Sequence, residues 1–330
     1  MAEEDDNERL NAAFSGLPDE FEFFRDIYNN QIRPDLSSRE IERLAAARKA
    51  RNFSTYAVVG GVTLAAIVFI LFRNPIGLFL GGIAGFGLHA YGRQELGSLS
   101  VRAKTTIMNE VSSAFDLDYT LQPMQPPVLS RFRNLQLLPN WDRSSFEDML
   151  TGQRGGSAFE FFEATLKQRR TTTDSKGRSR TRYVTVFDGQ CLVVHFPKPF
   201  LGVTKVFRDA GIFNVFKGMG NKEDRVRLED PKFEKAFEVV STDQIEARFL
   251  LTPDFMEKLL ELEQTFQGGK LRCAFSGGEL FVCVEGGDLF EPGSMFTPLD
   301  NPDRVRELLF DFAAVFQLID TVIEQRRLSD

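Results

Sequence analysis

Two apolar runs lie almost end to end in the first third of the chain, Phe53 to Phe72 and Ile76 to Gly92, with only Arg73-Asn74-Pro75 between them. At about 1.5 Å of rise per residue, a helix of about 20 residues crosses the roughly 30 Å hydrocarbon core of a bilayer, and the second run is at the short end of that range. The pattern predicts an N-terminal transmembrane helical hairpin over 53–92, with spans at 53–72 and 76–92. A re-entrant hairpin that enters and leaves by one face is the alternative. Arg39, Arg43, Arg48, Lys49 and Arg51 precede the first run and Arg93, Arg102 and Lys104 follow the second, whereas the connection holds Arg73 alone. Lys and Arg concentrate on the cytoplasmic side of membrane helices, so both termini are expected in the cytoplasm. A cleaved signal peptide fits poorly, because the apolar stretch begins beyond residue 50 and a second follows at once. Gly77, Gly81 and Gly85 recur every four residues in the second run, and Gly60, Gly61, Ala65 and Ala66 offer small residues on the first. Small residues let helix backbones approach closely in lipid, here to pack the hairpin on itself or, as the alternative, to form a homo-oligomer.

Periodicity organises the rest. Residues 1–36 read as an acidic, partly disordered N-terminus, with Glu3, Glu4, Asp5, Asp6 and Glu8 as a charge run. Ser37 with Glu40 has the spacing of a capping box, so a cytoplasmic helix is expected over 37–52, leading into the first span. Leu99, Ile107, Val111 and Phe115 repeat at helical spacing, and Pro123, Pro126 and Pro127 then break the pattern. Residues 93–128 are therefore expected to form a juxtamembrane helix and a Pro-rich linker ahead of a domain at 129–330. In that domain, 158–168 and 182–196 read as strands joined across the polar stretch 171–177, and 271–276 pairs with 279–284 across Gly277-Gly278. Asp230-Pro231, Thr252-Pro253 and Asn301-Pro302 each place a capping residue before a proline suited to the first helical position, and Phe233 and Phe237, four apart, are expected on one face of the helix that follows Asp230. The order predicts an α+β cytoplasmic domain of antiparallel β-hairpins with packed helices. A final helix over 303–327 carries an apolar strip (Leu308, Phe312, Val315, Ile319, Val322, widened by Val305, Leu309, Phe316 and Ile323) broad enough to close that domain.

Charge and composition refine this picture. The formal net charge of −7 conceals a basic middle: residues 160–222 hold 12 Lys or Arg against 5 Asp or Glu. Phenylalanine is frequent, 33 of 330 residues, which points to a Phe-rich core and to contact with a membrane surface. Cys191, Cys273 and Cys283 lack metal-ligand spacing and read as small core hydrophobes in a reducing compartment.

The stretch from Val226-Arg227-Leu228-Glu229-Asp230-Pro231 through Ser241-Thr242-Asp243-Gln244-Ile245-Glu246-Ala247-Arg248 to Leu250-Leu251-Thr252-Pro253 resembles the signature of the bacterial domain-of-unknown-function family 3137. The turn Asp174-Ser175-Lys176-Gly177-Arg178, the triplet Phe187-Asp188-Gly189 and the N-terminal hairpin extend the resemblance over most of residues 20–290. Val240 departs from the pattern, standing where an aromatic residue is expected. The resemblance implies a two-pass protein of the bacterial inner membrane with a cytoplasmic domain, and it carries over no activity and no catalytic residues.

Candidate chemistry is sparse. Asp243, Glu246 and Arg248 cluster in the motif and are the candidate polar site, although Asp230, Thr252 and a Ser241/Gln244 capping box make helix ends their simpler role. His89 and His195 lack a Cys, Asp or Glu partner at ligand spacing, and Gly218-Met219-Gly220-Asn221-Lys222 and Gly286-Gly287 match no phosphate-binding loop. No catalytic residue, metal site or cofactor is assigned. The strongest candidate surface is basic: Arg178, Arg180 and Arg182 alternate along one strand and Lys167 and Arg169 along its partner, which would put five cations on one side of a protruding hairpin. Downstream, Phe196, Phe200, Phe207, Phe213 and Phe216 interleave with Lys198, Lys205, Arg208 and Lys217. Overall acidity disfavours nucleic acid. The expected function is a membrane-anchored binding or scaffold module engaging anionic lipid headgroups or a protein partner. A structural organiser assembled through Gly77, Gly81 and Gly85, and an enzyme built on Asp243, Glu246 and Arg248, are the alternatives.

Overall fold

The computed structural model describes residues 10–73, 75–173, 176–195, 200–208, 223–265 and 270–328. The acidic run Glu3 to Glu8, Asn74, the turn residues Asp174 and Ser175, Phe196, Lys198, Phe213, Phe216, Lys217 and the cluster Gly218 to Lys222 lie outside them. The chain forms two compact units, Met1–Val111 with Phe290–Asp311, and Ser112–Leu289 with Phe312–Asp330. This division differs from the expected break at the prolines.

The first unit is helical. Helical turns at Asp19–Phe21, Phe24–Ile27, Tyr28–Ile32 and Arg33–Ser38 precede two long helices, α1 (Glu40–Phe72) and α2 (Ile76–Ala114). The described part of the N-terminal segment, residues 10–36, is helical for most of its length. Phe21, Phe24, Tyr28, Ile32 and Leu36 recur every three or four residues and are each at most 1% exposed, so this segment supplies core. The capping box at Ser37 and Glu40 is corrected. Ser37 Oγ donates to Asp300 Oδ2, and Glu40 grips Arg43 in two hydrogen bonds of 2.6 and 2.9 Å while its Oε2 accepts the Leu299 N–H at 3.1 Å. Glu40 therefore ties α1 to the later segment Phe290–Asp311 instead of closing its own helix end, and its pKa is lowered chiefly by the Arg43 hydrogen bond.

By length and composition α1 can cross a membrane, and only 11% of its most apolar window is buried. Among the described residues no second helix passes that test, because six glycines and His89 dilute the run from Ile76 to Gly92. The two helices nevertheless lie antiparallel and in backbone contact. A Cβ on Gly81 would stand 2.3 Å from the Gly61 carbonyl, one on Gly77 2.7 Å from that of Ala65, and one on Gly85 2.8 Å from that of Ala57. The spacing of four thus serves close approach within one chain.

The second unit is an antiparallel sheet with helices on it. Its strands are β1 (Asp118–Thr120), β2 (Arg143–Arg154), β3 (Ser157–Thr173), β4 (Ser179–His195), β5 (Thr204–Arg208), β6 (Asp224–Val226), β7 (Phe237–Ser241), β8 (Leu271–Ser276) and β9 (Glu279–Glu285). Their order is β1-β2-β3-β4-β9-β8-β5-β7-β6. Helices α3 (Leu129–Asn134), α4 (Pro231–Ala236), α5 (Gln244–Leu250), α6 (Pro253–Thr265) and, from Phe312 on, α7 (Pro302–Leu328) complete the set. The hairpin at Gly277-Gly278 is as expected, both glycines taking positive φ at 62° and 84°. Asp230, Thr252 and Asn301 each accept a hydrogen bond from a backbone N–H in the first turn of α4, α6 and α7. Segment 93–128 holds a strand, β1, as well as helix and linker.

Alternation decides the two faces of the sheet. Phe162, Cys191, Cys283 and Phe281 point to one side, where Phe132 of α3 meets Phe162 and Phe281 edge-on at 6.0 and 5.2 Å. Phe275 points to the other, against Phe255 of α6 at 5.9 Å. The later turns of α7 bury Val315, Ile319 and Val322, and the α7 residue Asp320 takes two hydrogen bonds from Arg154 beside the β2–β3 turn. Phe233 and Phe237 do not share a helix: α4 ends at Ala236, Phe237 opens β7, and their rings meet at 4.9 Å.

Candidate functional site

Strands β3 and β4 run beyond their neighbours. β2 pairs with β3 only as far as Lys167, and β9 pairs with β4 only from Gly189, so Gln168–Thr173 and Ser179–Val184 form a two-stranded ribbon with no further strand on either edge, the Arg169 N–H being taken instead by Asp142 Oδ2 at 2.6 Å. Its side chains from Arg169 to Tyr183 that are described are exposed. Thr171 with Thr181 and Thr173 with Ser179 form hydroxyl pairs at 3.0 Å across it.

The register corrects the expectation of five cations on one side. Up to Leu166 and Phe187 the strands pair without interruption; then Lys167 pairs with Thr185 and Val186 is left over as a bulge. A one-residue slip inverts the faces of everything beyond it. Without the bulge Arg182 would share a face with Lys167 and Arg169. With it, Arg182 stands opposite Arg170 and Arg180 opposite Thr172, whereas Arg169 stands opposite Tyr183. One face thus carries Arg170, Arg180 and Arg182. The other carries Lys167, Arg169 and, from β2, Arg143, which pairs with Lys167 and lies 3.7 Å over the Tyr183 ring. Arg178 precedes β4 in the turn.

At the base of the ribbon, on the Lys167 face, is a polar cavity of about 260 Å³ lined by residues including Ser145, Glu163, Thr165, Lys167, Asp188 and Asp288. Glu163 is buried, and its Oε1 accepts the Leu289 N–H at 2.8 Å. Burial pushes its pKa up to about 8, with Asp148 and Asp288 adding to the rise. Asp148, fully buried at φ 52°, accepts the Tyr119 hydroxyl at 2.5 Å, and Thr165 donates to Asp188 at 2.8 Å. Gln190, directly across from Glu163, donates to the Gly287 carbonyl at 2.7 Å. Sequence reasoning missed this group, although an acid inside the run Phe159 to Leu166 was a signal that one carboxyl would be buried.

Glu246 and Arg248 are placed on α5 and Asp243 immediately before it, and the three perform separate local tasks. Asp243 is its N-cap, accepting from Ile245 N and Glu246 N at 2.9 and 3.0 Å, in the role expected of Ser241, which lies in β7 and accepts the Asp243 N–H. Glu246 reaches back to the loop before β5, taking the N–H groups of Leu201 and Gly202 at 2.7 and 2.8 Å. Arg248 is exposed and donates to the Gln244 carbonyl at 3.2 Å. His195 Nδ1 lies 3.1 Å from Glu279, its cross-strand partner, which also pairs with Arg131. Cys191 and Cys283 face each other with sulfurs 3.9 Å apart, and burial raises the Cys191 thiol.

No curated protein matches the chain. Among solved structures, the crystal structure of the mycobacterial trehalose monomycolate transport factor A, TtfA, is similar over 67% of this chain and 95% of that one, with a TM-score of 0.36 and 11% identity. The chain resembles the family described as Protein of unknown function (DUF3137) over residues 185–323, a stretch that opens in β4, takes in the motif from Leu228 to Pro253 and ends in α7.

Proposed function

We propose that this chain is a membrane-anchored binding module of the bacterial inner membrane, with α1 and the first half of α2 as a two-pass hairpin, both termini in the cytoplasm, and the β3–β4 ribbon as a cytoplasmic contact for anionic lipid headgroups. One observation carries the reading of the ribbon: Arg170 and Arg182 stand directly opposite each other in an exposed antiparallel pair. Like charges in that position destabilise the pair, and a local rule broken without structural gain points to function. The anchor is supported by the length and exposure of α1 and by the excess of Lys and Arg outside the short α1–α2 connection.

The bulge also limits the strength of the contact. Each basic residue near an anionic leaflet contributes about 1 kcal/mol, so one face with three cations supplies about 3 kcal/mol. That is too little to recruit a free protein and enough to orient one already tethered to the same surface, where the second contact is intramolecular.

The test uses the full chain held in neutral-lipid nanodiscs and presented with separate vesicles. Vesicles containing phosphatidylglycerol should bind, neutral ones should not, and binding should weaken with salt because exposed charges are screened beyond about 8 Å at physiological ionic strength. Replacing Arg170, Arg180 and Arg182 together by Ser should abolish the difference. Equal binding to both vesicles, or to neither, would reject the lipid contact and leave a protein partner as the ribbon's target.

A further inference from the structure

The groove along α1 and α2 has no role in the ribbon contact. Its volume of about 950 Å³ is within the range of ligand pockets. Glycines and alanines form its floor, at Ala57, Gly61, Ala65, Gly81 and Gly85, where the two backbones meet. Val58, Val62, Phe69, Leu78 and Phe86 form its walls. From Ser54 to Phe69 it follows four turns of helix, about 22 Å at 1.5 Å per residue, longer than the roughly 15 Å that one leaflet contributes to a 30 Å hydrocarbon core.

One end of this apolar trough is polar. Ser54 Oγ donates to the Ala50 carbonyl at 2.8 Å and lies 3.0 Å from His89 Nδ1. With the hydroxyl proton engaged, Ser54 accepts from His89, which places the ring proton on Nδ1 and leaves Nε2 as an acceptor. Arg93 Nη1 is 3.4 Å from that Nε2, one helical turn further on. Arg93 stands one turn beyond His89, the last residue lining the groove, with its guanidinium also 5.8 Å from the Phe296 ring centroid, which puts the cation just past the end of the groove where the positively charged flanks begin.

We propose that the groove seats an acyl chain of a phospholipid whose phosphate is met by Arg93. The inference rests on the membrane reading above. An apolar trough ending in a cation is complementary to a ligand with an apolar chain ending in an anion, whereas an apolar helix of a second copy would leave the guanidinium without a counter-charge. Arg is suited to phosphate because its planar fork donates two parallel hydrogen bonds.

Gly82 lines the groove with open space where a Cβ would be, so a larger side chain there has room to extend into the trough; Gly87 has open space too but lies outside the groove. The full chain would be reconstituted in phosphatidylcholine vesicles containing phosphatidylglycerol with a photoreactive diazirine on its acyl chain. We expect cross-links concentrated on Val58, Val62 and Phe86. Gly82→Leu should lower their yield about tenfold, the effect of about two displaced methylene contacts, with Gly87→Leu unchanged. Arg93→Gln should lower the yield as well. Labelling spread evenly around both helices, or unaffected by Gly82→Leu, overturns the proposal, as do groove cross-links between two copies of the chain. A wild-type chain that fails to float with the vesicles overturns the membrane reading and the groove together, whereas flotation with even labelling overturns the groove alone.

Discussion

Arg170 and Arg182 occupy directly opposed positions on β3 and β4, a like-charge pair created by the single extra residue Val186. Such a pair costs the ribbon a fraction of a kcal/mol to about 1 kcal/mol relative to an opposite-charge pair. Arg182→Glu should therefore stabilise the protein by about 0.5 kcal/mol at low salt while weakening its attachment to anionic vesicles. Chemical denaturation and vesicle binding of the same variant test both signs.

Glu163 predicts a pH dependence of the sheet unit. Its folded-state pKa is raised from 4.5 to about 8, so the folded state holds a proton that the unfolded state has released over that window. The contribution to stability is fully present below pH 4.5 and is lost as pH rises through about 8, with a slope of at most about 1.4 kcal/mol per pH unit. Urea unfolding across a pH series should show this decline, and Glu163→Gln, which keeps an acceptor for Leu289 N–H, should flatten it. A slope unchanged in that variant would assign the effect elsewhere.

The contact between α1 and α2 leaves no room for a methyl group at Gly81, whose Cβ would approach the Gly61 carbonyl to 2.3 Å. Gly81→Ala should force the helices apart at a cost of about 1–3 kcal/mol. Gly82→Ala, one residue on with open space around it, should be neutral or slightly stabilising, since alanine is the better helix former. Thermal unfolding in detergent, followed by circular dichroism, distinguishes the two.

The three polar residues of α5 should separate cleanly under mutation. Asp243→Ala removes a cap worth about 1 kcal/mol, and Glu246→Ala releases two N–H groups of the loop before β5, whereas exposed Arg248→Ala should stay within about 0.5 kcal/mol of wild type. Equal losses at all three positions would indicate that they act as one group.

Much of the architecture was legible because its signals are local. Gly277-Gly278 announces the β8–β9 hairpin, and each of Asp230, Thr252 and Asn301 announces a helix by standing before a proline. Non-local features were not. β1 and β6 are three residues long, too short to show alternation, and β7 follows α4 with no turn between, so Phe233 and Phe237 kept a helical spacing across the boundary. Ser37 and Glu40 satisfy a capping pattern that the tertiary partners Asp300, Leu299 and Arg43 override. In the candidate surface, the cations were visible but their faces were not, because a bulge at Val186 is a property of the pairing and not of either strand.

The helical unit is assembled from segments that lie far apart in the chain. Tyr28 bonds to the Asp300 carbonyl, Arg43 to that of Met295 at 3.1 Å, and Glu40 to the Leu299 N–H. During synthesis at about 5–20 residues per second, α1 and α2 would leave the ribosome about 10–40 s before these partners exist. Throughout that interval Arg43 lacks the Met295 carbonyl, Glu40 lacks the Leu299 N–H and Tyr28 lacks the Asp300 carbonyl, so these groups stay solvated by water. The order of translation thus makes the N-terminal helices a waiting surface, one that a chaperone or the membrane itself must tolerate until about the last eighth of the chain arrives.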